Sequence, residues 1–232
     1  MFETQPSIWI AGIRIDEPIT VITNLIVTVV CIYAYFQVRK NLTPSKFQLY
    51  IKYYFLTLGL GVAIGGIVGH GFLYALSFGW KLPGWLMSIA SITLMERAII
   101  EQSRNLLTEK MHAFLVWSSK IKLGVFLFLT FYYVDFAYVG FHTSLGLVCI
   151  VAGCSMFTFV KTKNSGSMLY LVGVMITAIA GLVFTQQWGV DIWFNHLDVS
   201  HIFMAMATYL FYKATINVTL FDEVLINEQS PV

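Results

Sequence analysis

Long apolar stretches broken by short polar or charged segments dominate the chain. A helix that crosses a bilayer needs about 20 mostly apolar residues, and the pattern predicts seven of them, over residues 18–38, 53–78, 83–100, 114–134, 136–160, 167–185 and 196–216. The first follows Asp16 and Glu17 and opens on Pro18, a residue suited to a helix's first turn. The fourth has a clean apolar run only from Leu123 to Val134, so the reading extends it back to Phe114 with Lys120 and Lys122 snorkelling. Nothing divides the chain, so the expectation is one all-α, seven-helix transmembrane domain over residues 1–232.

Composition agrees. Of 232 residues 58% are hydrophobic and only 11% charged, with a mean hydropathy of +0.75. The charge content is about half that of a soluble domain, so lipid is the expected solvent and the bilayer the first partner. A net charge of +2 without clustering excludes nucleic acid as a partner. Cys31, Cys149 and Cys154 all lie in apolar stretches without redox or zinc spacing and read as core residues. Residues 1–17 show no cleavable leader.

Lysine and arginine placement sets the expected orientation. Twelve lie on the side of the loops after the first, third and fifth helices and the end of the seventh, against Arg14 and Lys81 opposite. The N-terminus is therefore expected outside and the C-terminus in the cytoplasm, which means the plasma membrane if the source is prokaryotic. The sequons at Asn41 and Asn217 then fall inside and are set aside. Trp80, Trp85, Trp188 and Trp193 contribute to an outer aromatic belt. Gly61, Gly65 and Gly69 recur at four-residue spacing in the second helix, as helix packing in lipid favours.

With each helix given a direction, depth can be read from sequence. His70, His142, His196 and His201 fall at similar depth on the outer side, beside Asp16, Glu17, Asn24, Asp135 and Asp198; His112 alone lies inside. Ionisable residues at membrane depth are costly and mark functional cavities. Several histidines with a carboxylate suit a divalent metal, most often zinc, which activates water. Asp198 and His201, three apart, share a helix face. His196 and His201, five apart, point about 140° from each other on a regular helix. The candidate metal ligands are His70 and His201, with His196 or Asp198 as the third. Asp198 and Glu17 are the candidate catalytic carboxylates: Asp198 as a ligand or as the group that orients His201, Glu17 as proton carrier or ion ligand. His142, beside Thr143 and Ser144, reads as a hydrogen-bonded interface residue, and Glu96 and Arg97 as solvated or paired near the cytoplasm.

Glu17 and Asn24, the run GGIVGHGFLYAL (Gly65 to Leu76) and NHLDVSH (Asn195 to His201) together resemble the CREST superfamily of seven-helix membrane proteins. That group includes the alkaline ceramidases and the adiponectin-receptor and hemolysin III proteins. The resemblance implies a membrane hydrolase that holds zinc by three histidines and cleaves a lipid amide or ester near the outer face. The chain departs from the pattern in three places. Gly66 stands where the family has a serine, Leu86 to Glu96 contain no aspartate, and the last two histidines are five rather than four apart. These departures favour an alternative, a receptor-like protein that binds a lipid without turnover. A transporter is a second alternative, opposed by the absence of an internal repeat and by polar residues that stop at one side.

Overall fold

A computed structural model of the chain describes residues 5–40 and 45–228, and Asn41 lies outside them. The chain is 83% helical and folds into seven long helices. They are α1 (Pro18–Lys40), α2 (Lys46–Gly71), α3 (Leu82–Gln102), α4 (Glu109–Tyr133), α5 (Ala137–Thr162), α6 (Ser165–Thr185) and α7 (His196–Glu228). Five of them, α1, α2, α4, α5 and α6, are long and apolar enough to cross a membrane. The helix starts have local causes. Ser45 accepts the Gln48 N–H at 3.2 Å, Thr108 accepts that of Met111 at 3.3 Å, and Asn164 accepts those of Gly166 and Ser167. Each thereby satisfies a first-turn donor with no partner inside the helix.

Four boundaries differ by five residues or more, one of them the start of α4, at Glu109 rather than residue 114. α2 begins seven residues earlier than residue 53, at Lys46, because Ser45 caps it. It does not continue to residue 78: Ile67–Gly71 is a π-turn, and short 3₁₀ turns carry the chain on through Leu73–Ala75 and Phe78–Lys81. α7 runs past residue 216 to Glu228. Ahead of α1 stands an unexpected hairpin, β1 (Ile8–Ile10) antiparallel to β2 (Ile13–Ile15), in the register Ile8↔Ile15, Trp9↔Arg14, Ile10↔Ile13. Its two-residue turn, Ala11 and Gly12, has φ of 49° and 80°, the doubly positive geometry that matches the twist of paired strands.

Small residues bring the helices together, since in lipid close backbone approach rather than hydrophobic burial holds them. A Cβ on Gly84 of α3 would stand 2.9 Å from the Gly61 carbonyl of α2. One on Gly173 of α6 would meet the Phe211 ring of α7 at 2.4 Å, and one on Gly59 would meet Cys31 of α1 at 2.9 Å. Of the expected glycine stripe, Gly61 makes the tight contact, Gly69 faces Lys81, and a Cβ on Gly65 would meet nothing. The core between α1, α2, α3, α6 and α7 includes Val27, Ile51, Phe55, Met95, Ile99, Tyr170 and Phe211. α4 packs mainly on α3 and α5, and Ser119 and Thr130 are its buried residues. Cys31 and Cys154 are buried as expected, whereas Cys149 is exposed.

Candidate functional site

The end of α2 and the starts of α1 and α7 meet at one end of the bundle. Glu17 enters α1 with φ of 43°, an uncommon conformation for a non-glycine residue. The preceding Asp16 N–H bonds the Gly71 carbonyl at 3.0 Å, which pins the head of α1 to the tail of α2. There the π-turn closes with Phe72 N–H on the Ile67 carbonyl at 3.0 Å. Close approach explains its glycines. A Cβ on Gly66 would stand 2.6 Å from that of Asn24, and one on Gly71 would stand 3.2 Å from Val21. π-turns and strained backbone both concentrate at functional sites. The outcome here is His70 Nδ1 placed 2.5 Å from Glu17 Oε2, with about a fifth of each side chain exposed. With Nδ1–H donating to the carboxylate, the lone pair of Nε2 is free.

A second network lies beside it. Asp198 is fully buried. Its Oδ2 accepts the Asn195 N–H at 2.9 Å and the Gln5 Nε2–H at 2.6 Å, and its Oδ1 accepts from Thr23 Oγ1 at 3.2 Å. Asn195 in turn accepts the Leu197 N–H, so Asn195 and Asp198 form a reciprocal cap on α7. Thr23 Oγ1 also stands 3.0 Å from His201 Nδ1. The single hydroxyl proton of Thr23 serves either Asp198 or the Thr20 carbonyl at 3.1 Å, and neither of those can donate. With Nδ1–H of His201 donating to that hydroxyl, Nε2 is free here too; Asn24 Nδ2, a donor only, stands 3.4 Å from the same Nδ1 and suits the other tautomer. The His70 and His201 rings lie edge to face with centroids 6.5 Å apart.

The structure thus brings together Glu17, His70, Asn24, Asp198 and His201 from the expected set. Asn24 donates to the Thr20 carbonyl at 2.8 Å and fills the space that Gly66 opens. His196 opens α7 against Phe184, its Nδ1 buried without a partner. Asp135 caps the N–H of Ala137 and takes no part, and Asp16 pairs with Arg14 at 2.7 Å. Among the described residues no group of three His, Cys, Asp or Glu side chains is placed to hold a metal ion.

Sequence reasoning missed Gln5, Thr20, Thr23 and Lys81. Thr20, Thr23, Asn24 and Thr28 follow helical spacing, so a polar stripe on α1 was the available signal. Lys81 lies near enough to Glu17 to feel its charge. Burial pushes its ammonium below the ordinary lysine range, and Glu17 works against that shift.

His142 belongs elsewhere. It is fully buried among α3, α4 and α5, its Nε2 3.3 Å from Thr93 Oγ1 and its Nδ1 without a partner. Beside it Glu96 and Lys122 form a buried ion pair. Ser119 donates to Glu96 at 2.5 Å, and Lys122 also donates to the His142 carbonyl at 3.0 Å. Gly146 makes room, since a Cβ there would lie 2.1 Å from Glu96 Oε1. Glu96 is paired, as expected, and it is also buried. Two expectations are corrected: Lys122 does not snorkel, and titratable groups are not confined to one end of the bundle. The cause is mutual neutralisation, which makes burial of both charges tolerable. Arg97, as expected, is paired, with Glu101 at 3.2 Å.

No curated protein and no solved structure matches the chain. A family model described as a family of unknown function, DUF6962, matches residues 19–219, a span that takes in His70, Asp198 and His201. The chain belongs to the DUF6962 family.

Proposed function

We propose that the chain is an integral membrane protein of seven spans, N-terminus outside, whose outer-end site is a zinc-dependent hydrolase of a lipid amide or ester. The observation that carries this is the Glu17 carboxylate on His70 Nδ1. A carboxylate on one ring nitrogen fixes the tautomer and orientation of a metal-binding histidine and raises the basicity of the other nitrogen. Asp198 does the same for His201 at one remove, through Thr23.

The donor chemistry fits zinc. His70, with Nδ1 on Glu17, offers Nε2; His201 offers Nε2 when its Nδ1–H donates to Thr23; and His196 carries a buried, unpartnered Nδ1. These three would hold the ion, once His196 turns toward the other two. Bound zinc supplies Lewis-acid polarisation of a carbonyl and activation of water. Glu17 orients His70 and is placed to carry a proton at the rim of the site. α3 and α7 are less apolar than the other helices, but their polar residues Glu96, Asp198 and His201 are buried rather than turned to lipid, as in polytopic bundles.

Metal content of the purified protein tests this, beside His70→Ala and His201→Ala. Near-stoichiometric zinc in the wild type, lost from both variants, is the expected result. A second reading, a lipid-binding protein without turnover, draws on Gly66 and the Asn24 side chain packed on it, which leave no hydroxyl at that place on α2. Metal-free wild type of full stability selects that reading.

A further inference from the structure

The carboxamide of Gln5 is held as a ligand is held. The residue is 4% exposed, and all four hydrogen-bonding positions of its amide are used. Oε1 accepts from the N–H groups of Ile19 and Thr20 at 3.1 and 3.4 Å. Nε2 donates to Asp198 Oδ2 at 2.6 Å and to the Trp193 carbonyl at 2.9 Å. The two backbone donors belong to the first turn of α1, where no helix carbonyl can reach them. Thr20 is fully buried at the same place, and its Oγ1 has no partner.

Gln5 is not part of the bundle that forms this pocket. It belongs to the arm that carries the hairpin Ile8–Ile15 against the end of α2, beside the site. Ser7 and Arg14 on Asp16, and Asp16 on Gly71, secure that arm. A two-stranded hairpin contributes little stability by itself, so the arm rests on these contacts, on Tyr74 against Arg14 and on the bonds of Gln5; a ligand that remakes most of the Gln5 bonds offsets their loss, while the donors on α1 and the carboxylate on α7 stay in place.

We propose that this is a carboxamide subsite and that Gln5 is its built-in, displaceable occupant. The external ligand is the secondary amide of an acylated amine. Its carbonyl oxygen takes the Ile19 and Thr20 N–H groups, its N–H goes to Asp198, and its N-substituent takes the place of the hydrogen that Gln5 gives the Trp193 carbonyl. An ester would set a lone pair against the buried carboxylate and leave Asp198 one donor short, a mismatch that binding sites punish heavily. As a statement about substrate this rests on the hydrolase reading and narrows it to amides, whereas the binding itself needs neither metal nor turnover.

The test uses the full chain in lipid nanodiscs with chelator present, and N-hexylhexanamide beside its ester counterpart hexyl hexanoate. An internal competitor lowers apparent affinity by the fraction of time it occupies the site. Gln5→Ala is therefore expected to bind the amide about tenfold more tightly than wild type and to leave ester binding unchanged. Asp198→Asn is expected to lose the preference for amide over ester. Equal amide affinity in wild type and Gln5→Ala, or equal affinity for amide and ester, overturns the inference.

Should Gln5→Ala unfold, hydrogen exchange on the wild type decides. Excess amide, and not ester, should raise exchange across residues 5–17 while the Ile19 and Thr20 N–H groups stay protected. No such difference overturns the proposal. Amide bound but not cleaved after zinc is restored leaves the subsite standing and removes the hydrolase reading. Zinc-dependent cleavage of ester and amide alike, indifferent to Gln5→Ala, does the reverse.

Discussion

Thr23 stands between Asp198 and His201, its hydroxyl 3.2 Å from the carboxylate and 3.0 Å from the imidazole Nδ1. It is the only hydrogen-bonded link between those two side chains among the described residues, and it joins helices α1 and α7. Thr23→Val keeps the shape and removes the link. On the zinc reading, metal affinity should fall about 10- to 100-fold, while Thr23→Ser, which keeps the hydroxyl, should stay near wild type. Competition with a zinc chelator of known affinity measures both, and an unchanged Thr23→Val would show that Asp198 only caps its helix.

The buried Glu96–Lys122 pair gives a stability prediction independent of function. Glu96→Gln and Lys122→Met each leave one group uncompensated and should each cost about 3–5 kcal/mol. The double variant should cost much less than the two together, because nothing is then left unpaired. Unfolding of the four proteins in one detergent closes the cycle, and simple additivity would count against coupling.

Helix contact through Gly173 predicts a steric defect that can be repaired. Gly173→Ala puts a methyl 2.4 Å from the Phe211 ring and should destabilise by about 1–3 kcal/mol. Phe211→Leu in the same chain should recover part of that loss. Unfolding midpoints of the single and double variants supply the measurement.

Acid should loosen the arm beside the site. Asp16 is partly buried, which opposes its charge, yet the Ser7 hydroxyl and the Arg14 guanidinium outweigh burial and hold its carboxyl below the ordinary 3.8. A carboxyl depressed in the folded state contributes stability that is fully present above the unfolded value and is lost as pH falls through the folded one. Hydrogen exchange across residues 5–17 should therefore rise as pH drops below about 3.8. Asp16→Asn should exchange faster at neutral pH and lose that dependence.

Orientation has a direct readout. Cysteines placed at Asp191, between α6 and α7, and at Lys110, at the head of α4, should react with an impermeant thiol reagent from opposite sides of a sealed vesicle. The lysine and arginine bias puts Asp191 outside, and the reverse labelling would invert the proposed topology.

That Glu17, His70, Asp198 and His201 share one end of the bundle was legible because depth alone determines it; that their side chains converge was not. Once the helices alternate in direction, the head of α1, the tail of α2 and the head of α7 must share one end. Rotation was not legible, so Thr23 and Gln5 went unseen although both touch Asp198. Hydropathy carried α2 on to residue 78 because Phe72, Leu73 and Tyr74 stay apolar where the backbone has already left the helix. It also placed Glu96 near solvent, since a lone charge toward the end of a span usually lies there. Only the partner on α4, 26 residues away, makes its burial tolerable. The hairpin is three residues per strand, too short for alternation to stand out from the polar stretch around it.

On the proposed seven-span topology, that partner bears on how the chain enters the bilayer. Alone, α3 would then carry Glu96, and α4 Lys122, into hydrocarbon, at about 2.5–3.5 kcal/mol for each charge on scales taken from membrane insertion. Joined by the short turn of residues 103–108, the two can meet as a helical hairpin and cancel each other's charge. Biogenesis of this region is then a two-helix event. A chain halted after α3 should hold that helix poorly in the membrane, and the synthesis of α4 should draw it in.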